Sequence, residues 1–138
     1  MNELETSFAP EGRVVAQISK AVIAHDRASV GAGEPQPLAC LVRENGHLIG
    51  GAVGRIELDR LYVEYLWVDA GHRRKGLGSR LLAGIEEAAR GAGCSESLIE
   101  SLSQKTAAMY ERAGYRGHAQ IDNYIPGLTL YVLIKPLT

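Results

Sequence analysis

The segment that most constrains this chain is Val68-Asp69-Ala70-Gly71-His72-Arg73-Arg74-Lys75-Gly76-Leu77-Gly78-Ser79-Arg80-Leu81-Leu82. An apolar run, Leu61 to Val68, precedes it, and an amphipathic pattern follows it. It therefore joins a strand to a helix that opens near Gly76 or Leu77. Arg73, Arg74, Lys75 and Arg80 place four cations here, with no acid between Arg73 and Arg80. The formal net charge of the chain is -1, so this basicity is local. A helix N-terminus offers backbone N–H groups without intrahelical acceptors and a partial positive charge. Glycine lets that backbone touch an anion, because no Cβ intervenes. The physics points to a pyrophosphate cradle.

Spacing decides which cradle. A Walker loop has its lysine after the second glycine, whereas Lys75 precedes Gly76. A dinucleotide fingerprint needs a third glycine where Leu81 stands. The pattern that fits is Arg-x-x-Gly-x-Gly, carried by Arg73, Gly76 and Gly78. With the strand before it and Leu81-Leu82 after it, this resembles the acyl-CoA-binding motif of the GNAT family of N-acetyltransferases. Met109-Tyr110-Glu111-Arg112-Ala113-Gly114-Tyr115 resembles a later motif of that family, aromatic-Tyr-Glu-Lys/Arg-x-Gly-Phe/Tyr. The resemblance spans roughly residues 38 to 136. Ser103 stands where many members have Asn, Thr106 where they have Ala, and Met109 where an aromatic is usual.

The resemblance implies a mixed α/β (α+β) acyl-CoA N-acyltransferase fold, with a mostly antiparallel sheet, a parallel centre and flanking helices. It also implies acetyl transfer from acetyl-CoA to a primary amine of a small molecule or protein, by direct attack in a ternary complex. Arg73, Arg74, Lys75, Gly76, Leu77, Gly78 and Ser79 would then hold the pyrophosphate, chiefly through their backbone. Ser103 would hydrogen-bond a CoA amide. The strand ending at Val68 would splay from the one near Ser97 to Glu100, and the pantetheine arm would lie in the split. The backbone N–H of Val68 would polarise the thioester carbonyl, and Tyr110 would protonate the departing thiolate. Homodimers are common in the family, often through the C-terminal strands, which leaves a homodimer open here.

An alkyl amine of pKa ~10.4 must lose a proton at neutral pH, at a cost of ~4.6 kcal/mol. A general base lowers that barrier. Strand alternation puts Tyr62, Glu64, Leu66 and Val68 on one face, and acids or histidines often occupy this strand face in the family. Glu64 is thus the candidate base, acting through burial or a water relay; the alternative is a strand glutamate paired with an arginine. Glu57 and Glu100 are weaker candidates. Tyr65 and Trp67 face the other way and read as core or helix-packing residues.

At 138 residues the chain is expected to form one domain. Its 46% hydrophobic and 22% charged residues are ordinary for a globular protein. Near-zero net charge gives no reason to expect nucleic acid or an anionic membrane as partner. Cys40 and Cys94 have no metal-ligand spacing and read as buried free thiols. The four histidines show no ligand spacing either, so no metal is expected. The N-terminus lacks a signal-peptide layout, and no run approaches membrane-spanning length, so a cytoplasmic enzyme is expected.

Hydrophobic spacing predicts a short strand near Leu4 to Phe8, a helix from Gly12 to Arg27, and a loop from Val30 to Pro37. A buried strand, Leu38 to Val42, an Asn45-Gly46 hairpin and a return strand to Leu58 follow, with Gly50, Gly51 and Gly54 hinting at a bulge. A turn at Asp59-Arg60 leads to the strand Leu61 to Val68. The next helix, Leu77 to Ala92, should bury Leu77, Leu81, Leu82, Ile85, Ala88 and Ala89. It should expose Arg80, Glu86, Glu87 and Arg90, pair Glu86 with Arg90, and use Gly84 for close packing. Glu96 to Leu102 reads as a strand, and Ser103 caps a helix to Ala113. Tyr115 to Ile121 and Leu128 to Ile134 read as strands broken by a loop at Asn123 to Gly127. A catalytically inactive acyl-CoA-binding sensor or scaffold is the alternative function; a nucleic-acid binder is remote.

Overall fold

The computed structural model describes residues 2–30 and 34–138. Gly31, Ala32 and Gly33, part of the expected loop, lie outside the described residues. The chain divides into two compact units, Met1–Glu34 and Pro35–Thr138. In the first, the helix α1 spans Gly12–Asp26. Its apolar stripe is not core: Val14, Val15, Ile18 and Val22 are all exposed. No strand forms near Leu4 to Phe8, and both residues are exposed.

The second unit holds β1 (Gln36–Glu44), β2 (His47–Glu57), β3 (Arg60–Val68), α2 (Leu77–Gly91), β4 (Glu96–Ser101), α3 (Gln104–Arg112), β5 (Arg116–Ile125) and β6 (Leu128–Pro136). They form a six-stranded sheet in the order β1-β2-β3-β4-β6-β5. Only β3 and β4 run parallel; the other neighbours are antiparallel, matching the expected sheet with a parallel centre. Asn45 (φ 51) and Gly46 (φ 81) adopt the positive φ that a type I′ hairpin demands. Leu61, Leu82, Ile85 and Leu133 are the largest fully buried apolar side chains. Each contributes about 1.5–3 kcal/mol relative to exposure.

Several local expectations change. β1 is an edge strand with alternating burial, so Leu41 is exposed rather than core. β5 runs through Asp122, Asn123 and Tyr124, and the chain turns at Pro126 and Gly127 instead. Asn123 is absorbed at φ 51 where the β5–β6 register shifts. On α2, Ala88 is exposed and Glu86 is buried. Arg90 therefore does not pair with Glu86; it binds Glu87 and the Leu137 carbonyl.

Two glycines are explained by contact. A Cβ on Gly84 would lie 2.5 Å from Cys40 Sγ, so α2 packs directly against β1. A Cβ on Gly54 would strike the Tyr62 carbonyl oxygen, beside the β2–β3 register shift. Backbone yields less than a thiol that can turn. Gly54→Ala is expected to cost about 3 kcal/mol and Gly84→Ala about 1–2 kcal/mol in chemical denaturation. A double-mutant cycle with Cys40→Ala should show favourable coupling for Gly84→Ala and none for Gly54→Ala.

Candidate active site

The site forms where β3 and β4 part. Their parallel pairing covers only Arg60–Val63 against Glu96–Ile99. Beyond Val63, β3 stays with β2 as far as Val68, while β4 follows β6. The β2–β3 register pairs Val53 with Tyr65 and Gly54 with Val63, leaving Glu64 as the extra residue of a bulge. This overturns the simple alternation. Leu61 and Val63 are core, and the partly buried Leu66 and Val68 pack against it; Tyr62, Tyr65 and Trp67 take the other face.

Asp69 N–H donates to the Ile49 carbonyl at 2.8 Å. In an antiparallel pair such bonds alternate, so the N–H and C=O of Val68 point away from β2 and into the split. A cleft of about 480 Å³ lies there, bordered by Leu66, Trp67, Val68, Thr106, Met109 and Tyr110 among others. Trp67 is 46% exposed and Tyr65 70% exposed, so neither is core, and Trp67 is a wall of the cleft. Lys105 and Arg112 also border it; the signal for them, and for Thr106, is helical spacing, since Thr106 lies four residues before Tyr110, and Lys105 and Arg112 lie four before and three after Met109.

The glycine loop lies beside this cleft. Gly76 caps α2 at φ 77 with no side-chain acceptor. The first intrahelical bond of α2 runs from Arg80 N–H to the Gly76 carbonyl at 3.1 Å. The N–H groups of Leu77, Gly78 and Ser79 therefore have no acceptor within the helix. A second cleft, of about 300 Å³, spans Arg73, Arg74, Gly76, Leu77, Gly78 and Ser79. These free donors and cations fit a pyrophosphate. Lys75 lies in the same turn but does not border that cleft.

Side chains hold the loop in shape. Asp69 accepts from Gly71 N–H and lies 3.2 Å from His72 Nδ1, and His72 Nε2 lies 3.4 Å from Glu44. The His72 contact, then the Gly71 N–H, holds the Asp69 carboxyl below the usual carboxylate range. Arg73 Nε donates to the Val68 carbonyl at 2.9 Å. Ser103 is the N-cap of α3, its hydroxyl accepting from Thr106 N–H at 3.2 Å, and it does not border the cleft.

Tyr110 is 6% exposed, and its ring lies 6.0 Å from that of Tyr115. Burial pushes its phenol above the ordinary range, so it stays protonated. Behind it runs a buried polar chain. Tyr115 Oη donates to Glu86 at 2.9 Å and lies 2.7 Å from Ser97 Oγ, and Lys135 Nζ donates to Glu86 at 2.7 Å. Glu86 is 3% exposed. Its place one turn beyond Leu82 on the apolar stripe was the available signal.

Glu64 lies elsewhere. It pairs with Arg55 at 3.2 Å, as the arginine-paired alternative has it. Arg55 also lies 3.6 Å from Glu57 and 4.6 Å over the Tyr62 ring. Glu64 and Glu100 border a small cleft of about 220 Å³ with Arg55, Tyr62, Val63 and Leu98. Leu98 and Glu100 alternate with the buried Ser97, Ile99 and Ser101, so this cleft opens on the sheet face away from α2 and α3. Among the described residues no group of His, Cys, Asp and Glu could hold a metal.

Residues 2–115 match the sequence model of the Acetyltransferase (GNAT) family. The chain belongs to this family. It is 46% identical over 95 residues to blasticidin-S acetyltransferase of Streptomyces morookaense, covering 68% of this chain and 70% of that protein. It is 32% identical over 95 residues to an acetyltransferase of Agrobacterium fabrum, covering 68% and 69% of the two chains. The crystal structure of an acetyltransferase from Bacillus cereus matches with a TM-score of 0.80 and 25% identity over 98% of this chain and 97% of that one. GNAT enzymes are acetyl-CoA-dependent acetyltransferases, and that is the activity of this chain.

Burial raises Tyr115 above the ordinary phenol range as it raises Tyr110, and the Glu86 charge adds to it. A raised folded-state pKa adds stability below the unfolded value of ~10, and that stability is lost as pH climbs through the folded value. Ultraviolet phenolate titration of the folded GNAT enzyme should therefore show a late component. Tyr115→Phe should remove its share of that component and leave the share of Tyr110.

Proposed function

We propose that residues 1–138 act as one domain that acetylates a primary amine of a small molecule, by direct attack in a ternary complex in the cytoplasm. The observation that carries this reading is the Val68 N–H aimed into a split bordered by the buried, protonated Tyr110. Acetyl-CoA supplies an activated thioester carbon. The cradle from Arg73 to Ser79 would hold its phosphates. Val68 N–H would stabilise negative charge on the carbonyl oxygen. Tyr110 Oη would give its proton to the leaving sulfur, a step uphill by more than the ~2 kcal/mol that separates an ordinary phenol of ~10 from a thiol of ~8.5, because burial raises this phenol further. Ser103, with its hydroxyl engaged at the helix cap, would offer a CoA amide its remaining acceptor direction.

The amine would approach from the opposite face of the sheet. Glu64 sits on that face at the bulge, and a water between it and the amine would relay the proton. Acid and base on opposite faces of β3 suit a donor and an acceptor that meet across the split. The acceptor class follows the similar Streptomyces enzyme, which makes blasticidin S the first amine to assay. No helix among the described residues is long and apolar enough to cross a membrane.

Tyr110→Phe should lower kcat about 100-fold while acetyl-CoA affinity stays within about twofold. Unchanged turnover would sink the acid role. Glu64→Gln should lower kcat/KM for the amine at neutral pH. That deficit should narrow as pH rises toward the amine's own pKa of ~10.4, because the proton is then already gone. A deficit independent of pH would sink the base role.

A homodimer through β5 belongs to the same reading. β5 is an edge strand, and all ten of its residues are exposed, Ile121, Tyr124 and Ile125 among them. An antiparallel pairing of two copies centred on Ala119 sets Arg116 against Asp122 twice. Sedimentation should give a dimer, and Ile121→Asp should give a monomer.

A further inference from the structure

Trp67 is the only tryptophan of the chain, and nearly half of it is exposed. Tyr65, two residues earlier on the same face of β3, is more exposed still. The register sets Trp67 beside Gly51 and Gly51 beside Leu41; one row along, it sets Tyr65 beside Val53. Leu41 and Val53 are exposed as well, so the four side chains make one apolar patch. A Cβ on Gly51 would lie 3.0 Å from Leu41 Cδ2, so Leu41 leans over the glycine. On the other flank of Trp67 β4 has already parted from β3. Trp67 also borders the cleft into which the Val68 N–H points. Among the described residues Arg55 lies over Tyr62, Lys135 over Tyr115 and Tyr110 against Tyr115, but no cation or ring lies on the indole.

Single exposed apolar side chains need no explanation, whereas a contiguous patch at the rim of a reaction centre does. We propose that Trp67 selects the acceptor: a flat conjugated ring on the amine substrate stacks on the indole while the amine reaches the split beside Val68. The inference rests on the reading that the amine approaches over this face of β3. Consecutive Cα atoms lie ~3.8 Å apart, so a ring on the indole and an amine at the Val68 N–H need only a short linker between them. An aromatic pair gains free energy beyond the area it buries. A saturated ring of the same size gains from the buried area alone. The site therefore prefers planarity over hydrophobicity, which separates this role from that of a general apolar patch.

Two primary amines with the same three-carbon linker, 3-phenylpropylamine and 3-cyclohexylpropylamine, test this as inhibitors of blasticidin S acetylation by the full chain. The phenyl compound should have an inhibition constant about fivefold lower, although the cyclohexyl compound is the more hydrophobic. Trp67→Leu keeps apolar bulk and should bring the two constants within about twofold, and Trp67→Phe should keep most of the preference. With one tryptophan in the chain, tryptophan emission reports this site alone, and saturating 3-phenylpropylamine should change it. Equal constants in wild type, a preference that survives Trp67→Leu, or unchanged emission overturns the role of Trp67 while acetylation of blasticidin S leaves the proposed function standing. If blasticidin S is not acetylated at all, the small-molecule reading falls and this inference with it.

Discussion

The divergence of β3 from β4 after the Val63–Ile99 pair is the constraint on which the rest of the structure depends. A strand in mid-sheet normally has its backbone groups satisfied on both sides. From Glu64 to Val68, β3 keeps β2 on one side and has no β4 pairing on the other. Each buried polar group left without a partner would cost about 1–3 kcal/mol. The cleft resolves this, since it admits water or a ligand to those groups. The bulge at Glu64 starts the departure, and Gly54 faces it because a larger residue would strike the Tyr62 carbonyl.

Two sets of contacts steady the walls of the split. On the cradle side, Asp69, His72 and Glu44 tie the loop to the end of β1, and Arg73 ties it back to Val68. On the other side, Glu86, Tyr115, Ser97 and Lys135 link α2, β4 and β6 behind α3. A buried carboxylate is tolerable only when it is paired and hydrogen-bonded, and Glu86 is both. Tyr110 on α3 packs against Tyr115, so the position of the candidate acid follows from this network. Preorganised donors cost no rearrangement at the moment of reaction, which is where their effect on rate comes from.

Local signals in the sequence were read well where one contact range sufficed. Asn45-Gly46 makes its hairpin, Gly114 takes positive φ just after α3, and Ser103 caps α3. The anion cradle was legible because it is a run of adjacent residues. Local pattern makes Glu86 solvent-facing, whereas it is buried against Lys135 on β6, 49 residues away. The faces of β3 were misread because alternation assumes an unbroken register, and a bulge is a property of two strands together. Alternation likewise counts Tyr65 and Trp67 as core, and both are exposed. The loop expected at Asn123 became strand because β6 supplied a partner for it.

The sequence by itself determined the strand–glycine loop–helix unit, its cations, the tyrosine motif and, through them, the family and its donor. These lie within short runs whose backbone preferences act locally. Only the tertiary structure decided that Val68 points into an open split, that Glu64 bonds Arg55 on the far face, and that Arg73 borders both clefts. Those features depend on strand register and on contacts between residues distant in the chain, which no local pattern encodes.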